Sequence, residues 1–179
     1  MSLATMSMAS NPSLVEWRNL RFLITDAPKD ANLHVYLKLF KKYNVTDIVR
    51  ISEPLYKRAG VEAAGIRLHE MHFPDGESPP EEIITEFLDI VDEIFPASKA
   101  APAGGAAATN TPCIVVHCVA GLGRAPVMVA IALIEAGLDA ISAVQFIRER
   151  RRGAINSLQL SYLESYTPRS SRSSKCSVM

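Results

Sequence analysis

Residues 114–126 constrain this chain more than any other stretch, and they read Ile-Val-Val-His-Cys-Val-Ala-Gly-Leu-Gly-Arg-Ala-Pro. The β-branched run from Ile114 to Val116 predicts a buried strand. Residues 125–135 predict a helix, with Pro126 in its first turn where a missing N–H is harmless. The glycine-bearing loop between them therefore sits at a helix N-terminus, where unpaired amides and the helix dipole attract anions. The stretch predicts a strand, an anion-binding loop and a helix.

Cys118 opens this loop and Arg124 closes it, with five residues between them. A guanidinium can grip two oxygens of a tetrahedral oxyanion, and the same positive surroundings favour the nucleophilic thiolate over the thiol. The pattern matches the Cys-x5-Arg signature of cysteine-dependent phosphatases. A cysteine that merely ends a buried strand is the alternative, but the added His, Gly and Arg spacings favour the signature. The predicted phosphate-binding residues are Val119, Ala120, Gly121, Leu122, Gly123 and Arg124.

The amino-acid composition narrows the structural and functional classes to which the chain can belong. With 179 residues, 48% of them hydrophobic, the chain is long enough for one domain with a sizeable core. A formal net charge of zero gives no global attraction to nucleic acid. Three cysteines do not suggest a disulfide framework, and no apolar run is long enough to span a bilayer. The signature chemistry calls for no cofactor and no metal.

Strand-like and helix-like segments alternate along the chain, which predicts an α/β fold. We expect a single compact domain with a central, mostly parallel sheet flanked by helices on both faces. The predicted strands lie within 15–25, 45–51, 65–71 and 114–116, and the predicted helices are 31–43, 80–95, 125–135, 139–152 and 157–166. Gly153 is expected to cap the fourth of these helices.

Hydrolysis of a phosphate ester also needs a proton for the leaving oxygen. Asp75 is the candidate, because it lies between Pro74 and Gly76 in a loop that could swing over a pocket. An Asp-Gly pair is also ordinary turn chemistry, and the signature loop favours the catalytic interpretation. His117 either orients the loop through hydrogen bonds or simply ends the strand. Ala125 offers no hydroxyl to help the sulfur leave, so the phosphocysteine should form faster than it is hydrolysed.

The chain resembles the protein tyrosine phosphatase type IVA family, the phosphatases of regenerating liver. The resemblance rests on HCVAGLGRAPVMVAIALIEAG, AVQFIRERRRGAINSLQL, YLESY, NLRFLITDAP, KKYNVTDIVRISE and FPDGESPP. It implies a dual-specificity phosphatase fold, weak phosphatase activity, a prenyl membrane anchor and binding to cyclin-M-type magnesium transport proteins. It also implies that Cys118 is the nucleophile, Arg124 binds phosphate and Asp75 is the general acid.

Several positions depart from that family's pattern. Ser52 stands where the family often has a cysteine that pairs with the nucleophile, so this redox switch is expected to be missing. Cys113 is too far along the same strand to replace it. Pro74 replaces the first of two adjacent acids in the acid loop, and residues 96–112 form a low-complexity insertion.

The sequence predicts a disordered N-terminus at 1–13, a phosphatase domain at 14–168 and a flexible basic tail at 169–179. The tail ends Cys-Ser-Val-Met, which matches a prenylation box with Cys176 as a farnesylation site. The arginines at 148 and 150–152 read as a solvated helix end, with contact to anionic lipid or an acidic partner as the alternative. We expect a cytoplasmic protein that is partly held on the cytoplasmic face of the plasma membrane or endomembranes.

Two functions remain open at this point. One is a phosphatase that acts on phosphotyrosine, other phosphoproteins or phosphoinositides. The other is a pseudo-phosphatase-like regulator whose loop docks a partner's carboxylate, with magnesium transport proteins as the expected partner. A homo-oligomer is one assembly state left open. The enzyme ranks first because Cys118, Arg124 and Asp75 are all present.

Overall fold

The computed structural model describes residues 11–96 and 111–169. Strands and helices alternate along much of this part of the chain. The strands are β1 (Ser13–Trp17), β2 (Leu20–Thr25), β3 (Val45–Arg50), β4 (Arg67–Glu70) and β5 (Cys113–His117). The helices are α1 (Leu33–Lys42), α2 (Arg58–Glu62), α3 (Glu81–Ile94), α4 (Arg124–Glu135), α5 (Ala140–Arg150) and α6 (Ser157–Ser165).

The five strands form one sheet in the order β1-β2-β5-β3-β4. All neighbouring pairs are parallel except β1 and β2, which form an antiparallel pair at one edge. The predicted α/β fold with a mostly parallel sheet is confirmed. Strand β5 lies in the middle of the sheet and all five of its residues are buried, as its β-branched sequence predicts.

Alternate side chains of the strands point to two separate cores. Phe22, Ile24, Val49, Ile114 and Val116 pack in the core that also holds residues of α3, α4, α5 and α6. Leu23, Ile48, Val115 and Leu68 pack in a second core with residues of α1 and α2. Helices therefore cover both faces of the sheet. Helix α4 is buried at all twelve positions, so the helix that follows the signature loop is fixed on every side.

Two helical features differ from the prediction. Helix α2 was not predicted, because its five residues are too short to show helical periodicity. Helix α5 begins after Asp139, whose side chain caps it by accepting from Ser142 N, but it ends at Arg150 rather than at 152. Gly153 has a φ of +81° and lies in the turn beyond, so it does not cap the helix as predicted.

Candidate active site

The signature loop lies at the carboxyl end of β5. Because β5 runs parallel to β2 on one side and to β3 on the other, the loop emerges at the central crevice of the sheet, where α/β folds bind ligands. It ends where α4 begins, at Arg124, and Pro126 occupies the first turn as predicted. Two of the loop's residues, Val119 and Leu122, are exposed although apolar, so they form an apolar rim.

A cavity of about 360 Å³ opens above this loop. It brings together most of the residues that the sequence singled out for a site. Its walls include Asp75, Cys118, Val119, Ala120, Leu122, Gly123 and Arg124. Gly121 belongs to the loop but is buried, and it is not among the described residues that line the cavity. A nucleophile, a guanidinium and a carboxyl group therefore face one common space.

Arg124 is anchored from the side that faces the sheet. Its side chain is 6% exposed, and its Nη1 atom donates to the carbonyl oxygen of Phe73 at 2.8 Å. Its Nε atom lies 3.1 Å from Oδ1 of Asp75. This contact is an ion pair without the alignment of a hydrogen bond, since Nε has no well-aligned acceptor among the described residues. The guanidinium thus keeps donor capacity for a further anion.

Asp75 sits in the loop between β4 and α3, above the cavity. Its side chain is 80% exposed, in a run of exposed residues from Pro74 to Ser78. Its Oδ1 atom nevertheless reaches the guanidinium of Arg124. The structure therefore places this carboxyl group over the predicted phosphate site while leaving it in solvent, as expected for a group that approaches and leaves a substrate.

His117, the last residue of β5, is completely buried and its Nε2 atom lies 2.8 Å from Oη of Tyr56. Burial lowers the pKa of His117 to about 3, although a backbone hydrogen bond with Cys118 opposes the shift. The imidazole is therefore neutral near neutral pH. Its ring is hydrogen-bonded to Tyr56, and its role in orienting the loop stays a prediction.

Tyr56 is held in turn by Arg50. The guanidinium of Arg50 stacks 4.6 Å from the centre of the Tyr56 ring and donates to the Tyr56 carbonyl oxygen at 2.8 Å. Its Nε and Nη2 atoms form a fork on Glu70, at 3.1 and 2.5 Å. The hydrogen bonds from Arg50 lower the pKa of Glu70 below its ordinary value. A chain of contacts thus runs from the exposed Glu70 of strand β4 to His117, the residue before Cys118.

The arginine run at the end of α5 is only in part the solvated face that the sequence predicted. Arg151 is 5% exposed, and its Nε and Nη2 atoms donate to the carbonyl oxygens of Gly121 and Ala120, at 2.5 and 3.0 Å. Arg148 donates to the carbonyl oxygens of Ala154 and Ile155, and Arg150 packs on the ring of Phe146. Arg150 and Arg152 are exposed, whereas Arg148 is half-buried and Arg151 is buried. The sequence prediction missed these contacts because the acceptors are backbone carbonyls, which a pattern of charged residues does not reveal.

Three residues from the segment after α5 complete the cavity: Gly153, Asn156 and Gln159. Asn156 and Gln159 form a reciprocal capping box at the start of α6. A Cβ atom on Gly123 would lie 3.1 Å from Nε2 of Gln159, so the glycine lets this amide approach the loop closely. The Asn-x-x-Gln spacing could have predicted the helix start, but nothing local places it at the site.

The two described cysteines are free and lie at opposite ends of β5. Cys113 belongs to one core and Cys118 to the other, so their side chains leave opposite faces of the sheet. Five residues of extended strand separate them by roughly 16 Å, far beyond the span of a disulfide. Ser52 is buried just beyond β3, the strand that neighbours the Cys118 end of β5. Cys176 lies outside the described residues.

The described residues, 11–96 and 111–169, contain neither a metal-binding cluster nor a membrane-spanning helix. There, no group of three or more His, Cys, Asp or Glu side chains is arranged to hold a metal ion. Within the same ranges, no helix combines the length and the apolar character needed to cross a bilayer.

Comparisons with known proteins agree with this geometry. A family model described as a polymorphic toxin system DSP-PTPase phosphatase matches residues 27–138. The chain is 45% identical over 174 residues to a probable protein tyrosine phosphatase type IVA A of Dictyostelium discoideum, with 97% of each chain covered. It is 44% identical over 158 residues to the human protein tyrosine phosphatase type IVA 3, covering 88% of this chain and 85% of the human one.

Solved structures give the same result. The chain superposes with a TM-score of 0.76 on a putative protein tyrosine phosphatase from Leishmania major. That protein is 35% identical, and the match covers 88% of this chain and 99% of the other. A kinase-associated phosphatase with its catalytic cysteine replaced by serine shares the fold at a TM-score of 0.62 and 16% identity.

Proposed function

The chain belongs to the protein tyrosine phosphatase type IVA family and is a protein tyrosine phosphatase of the dual-specificity type; we propose that it works through a phosphocysteine on Cys118 that is slow to hydrolyse. The observation that carries the proposal is the single cavity lined by Cys118, Arg124 and Asp75. The proposed substrates are phosphomonoesters: phosphotyrosine and other phosphorylated residues of proteins, or phosphoinositides. No cofactor takes part in the proposed steps.

In the first step the thiolate sulfur of Cys118 attacks phosphorus and the bond from phosphorus to the leaving oxygen breaks. The phosphoryl oxygens take over the guanidinium of Arg124, which displaces the carboxylate that contacts it at 3.1 Å. Asp75, once released from the guanidinium, takes up a proton from solvent, lies beside the leaving oxygen and donates that proton to it. The arrangement supports this order of steps because Cys118, Asp75 and Arg124 line the same cavity.

In the second step water attacks phosphorus, the sulfur–phosphorus bond breaks, and inorganic phosphate and the thiolate form. Ala125 is fully buried in the first turn of α4, directly after Arg124. A methyl group there cannot donate a hydrogen bond to the departing sulfur. We therefore expect the second step to limit turnover and the phosphoenzyme to accumulate.

Intact-mass spectrometry tests the proposal directly. The protein is mixed with an excess of a small aryl phosphate and quenched in acid over time. The wild type should accumulate a species heavier by one phosphoryl group, and peptide mapping should place it on Cys118. Ala125→Ser should shorten its lifetime, and Cys118→Ser is the control that should show no adduct. Turnover without any adduct in the wild type would contradict rate-limiting release.

A specific contact favours the second candidate function, a regulator that docks a carboxylate. Arg124 already holds the carboxylate of Asp75 at the mouth of the cavity, so a partner's acidic side chain could occupy the same place. Cyclin-M-type magnesium transport proteins are the proposed partner. Binding of the purified transporter domain should survive Cys118→Ser, which removes hydrolysis, and should weaken with Arg124→Ala. If both variants bound the transporter domain as well as wild type does, docking at this loop would be excluded.

Membrane attachment is proposed to depend on farnesylation of Cys176, which lies outside the described residues. Arg169 at the root of the tail is engaged with Asp89 and Asp92 of α3, at 2.8 and 2.9 Å. It therefore adds little to any attraction to anionic lipid, and Arg172 and Lys175 are the remaining tail cations. A single prenyl chain with so weak a second signal predicts partition between cytosol and membranes. Cell fractionation should find Cys176→Ser in the soluble fraction; membrane retention of that variant would place the anchor elsewhere.

A further inference from the structure

We propose that Arg151 is a positioning residue of the phosphate loop: its guanidinium turns two loop carbonyls outward and thereby aims the following amides at the bound oxyanion. The inference rests on the proposed function of the loop as a phosphate site. Nε of Arg151 donates to the Gly121 carbonyl oxygen at 2.5 Å, and Nη2 donates to that of Ala120 at 3.0 Å.

The consequence follows from the planar trans peptide. In such a peptide the C=O of one residue and the N–H of the next point in opposite directions. Holding the carbonyls of Ala120 and Gly121 against Arg151, behind the loop, directs the N–H groups of Gly121 and Leu122 toward the cavity. Gly121 can thus serve the phosphate through its amide although its backbone is buried.

The carbonyls that flank this pair in the chain are also turned away from the cavity. The Val119 carbonyl accepts from Ala27 N at 3.0 Å, and the Leu122 carbonyl accepts from Ile155 N at 2.8 Å. Four successive carbonyls are therefore turned away from the cavity, and the outer two are held by backbone amides. The middle pair depends on a side chain, so Arg151 is the point where the preorganisation of the loop can be removed by substitution.

The brace is itself fixed. Nη1 of Arg151 donates to the Asn11 carbonyl oxygen at 2.9 Å and lies 3.3 Å from Oγ of Ser13. Oγ of Ser13 donates to the carbonyl oxygen of Arg150 at 2.9 Å. The guanidinium is thus locked between β1 and the loop. Burial lowers the pKa of Arg151, while the negative charge of Asp26 opposes that shift.

A planar fork is needed for this arrangement. Guanidinium presents its donors in one plane at fixed angles, so it can hold two neighbouring carbonyls and the β1 groups together. A lysine at 151 would keep the positive charge but could not satisfy all of these acceptors at once. Comparing Arg151→Lys with Arg151→Met therefore separates the geometry of the brace from its charge.

The test is the affinity of tungstate, an unreactive tetrahedral oxyanion, measured by calorimetry per folded molecule, together with kcat and KM for an aryl phosphate. Arg152→Met is the matched control, because it removes an exposed arginine one residue away. Arg151→Lys should weaken tungstate about tenfold and lower kcat about a hundredfold, Arg151→Met should lose more, and the control should stay within twofold of wild type.

Separate outcomes identify what fails. If wild type binds no tungstate, the loop is not a phosphate site and both proposals fall. If wild type binds and folded Arg151→Lys binds equally well with unchanged kcat, Arg151 is only a structural residue and this inference alone falls. If Arg151→Met does not fold, Arg151→Lys decides, and circular dichroism at each titration condition confirms that it is folded.

Discussion

Two loops meet at one cavity but are held very differently: the proposed phosphate loop, residues 118–124, and the proposed acid loop, residues 73–80. The phosphate loop is fixed by a buried strand, by a helix that is buried at every position and by Arg151 behind it. The acid loop is exposed from Pro74 to Ser78 and reaches the site mainly through contacts with Arg124. A loop that stabilises charge works best when its donors are fixed in advance. A loop that carries a proton donor must instead move, so that substrate can enter and product can leave.

The largest expected effect comes from the buried side of this comparison. Cys118→Ser should reduce hydrolysis of aryl phosphates to background whatever the leaving group, because a serine hydroxyl in this loop is a far weaker nucleophile than a thiolate. The circular dichroism spectrum should match wild type, since the substitution exchanges one small buried side chain for another. Measurable turnover by the pure variant would remove Cys118 from the nucleophile role.

The acid loop should give a smaller effect that depends on the substrate. Asp75→Asn should lower the rate of phosphoenzyme formation, and with it kcat/KM, about a hundredfold for a phenyl phosphate, whose leaving oxygen needs a proton. The loss should shrink to a few-fold for an activated leaving group such as nitrophenolate, which departs unprotonated. Equal losses for both substrates would show that Asp75 acts through its ion pair with Arg124 rather than as an acid.

A matched pair of glycines sharpens the contrast in rigidity. Both have positive φ, +68° at Gly121 and +83° at Gly76. A Cβ atom on Gly121 would lie 2.4 Å from the carbonyl oxygen of Thr25, whereas on Gly76 it would meet nothing within 4 Å. Gly121→Ala should therefore lower the free energy of unfolding by about 3 kcal/mol, from strain and overpacking together.

Gly76→Ala should cost only about 1 kcal/mol, because left-handed strain is its sole penalty. Urea unfolding of both variants measures the difference. Similar losses in the free energy of unfolding at the two positions would show that the phosphate loop is no more rigid than the acid loop, which would contradict the comparison. Turnover should fall with Gly121→Ala and remain near wild type in Gly76→Ala.

The phosphate loop was predictable because its signals are local. A β-branched run, two glycines, an arginine and an early proline each favour the structure that forms within a few residues of them. Helix α3 was predictable for the same reason, since its buried residues Ile84, Phe87, Leu88 and Val91 recur at helical spacing. Asp75 was placed near the site because turn residues flank it in a loop before a helix.

The role of Arg151 could not be predicted from its neighbours. Its acceptors Ala120 and Gly121 lie 31 and 30 positions away in the sequence, and they are backbone atoms that any residue would present. A run of arginines at a helix end looks solvated unless the fold is known to bring a loop against it. The buried contacts of His117 with Tyr56 have the same long-range origin.

The last prediction concerns pH and the buried His117, which directly precedes the phosphate loop. His117 has a pKa of about 3 when folded, against an ordinary value of 6.5, so protons bind more strongly to the unfolded chain. Its contribution to stability is therefore complete above pH 6.5 and is lost as the pH falls from 6.5 toward 3. Between pH 7 and pH 5 the loss should be about 2 kcal/mol in the free energy of unfolding. Urea unfolding of wild type and His117→Gln at both pH values measures it, since the variant keeps every other titrating group. An equal loss in both proteins would show that His117 is not held neutral in the folded protein.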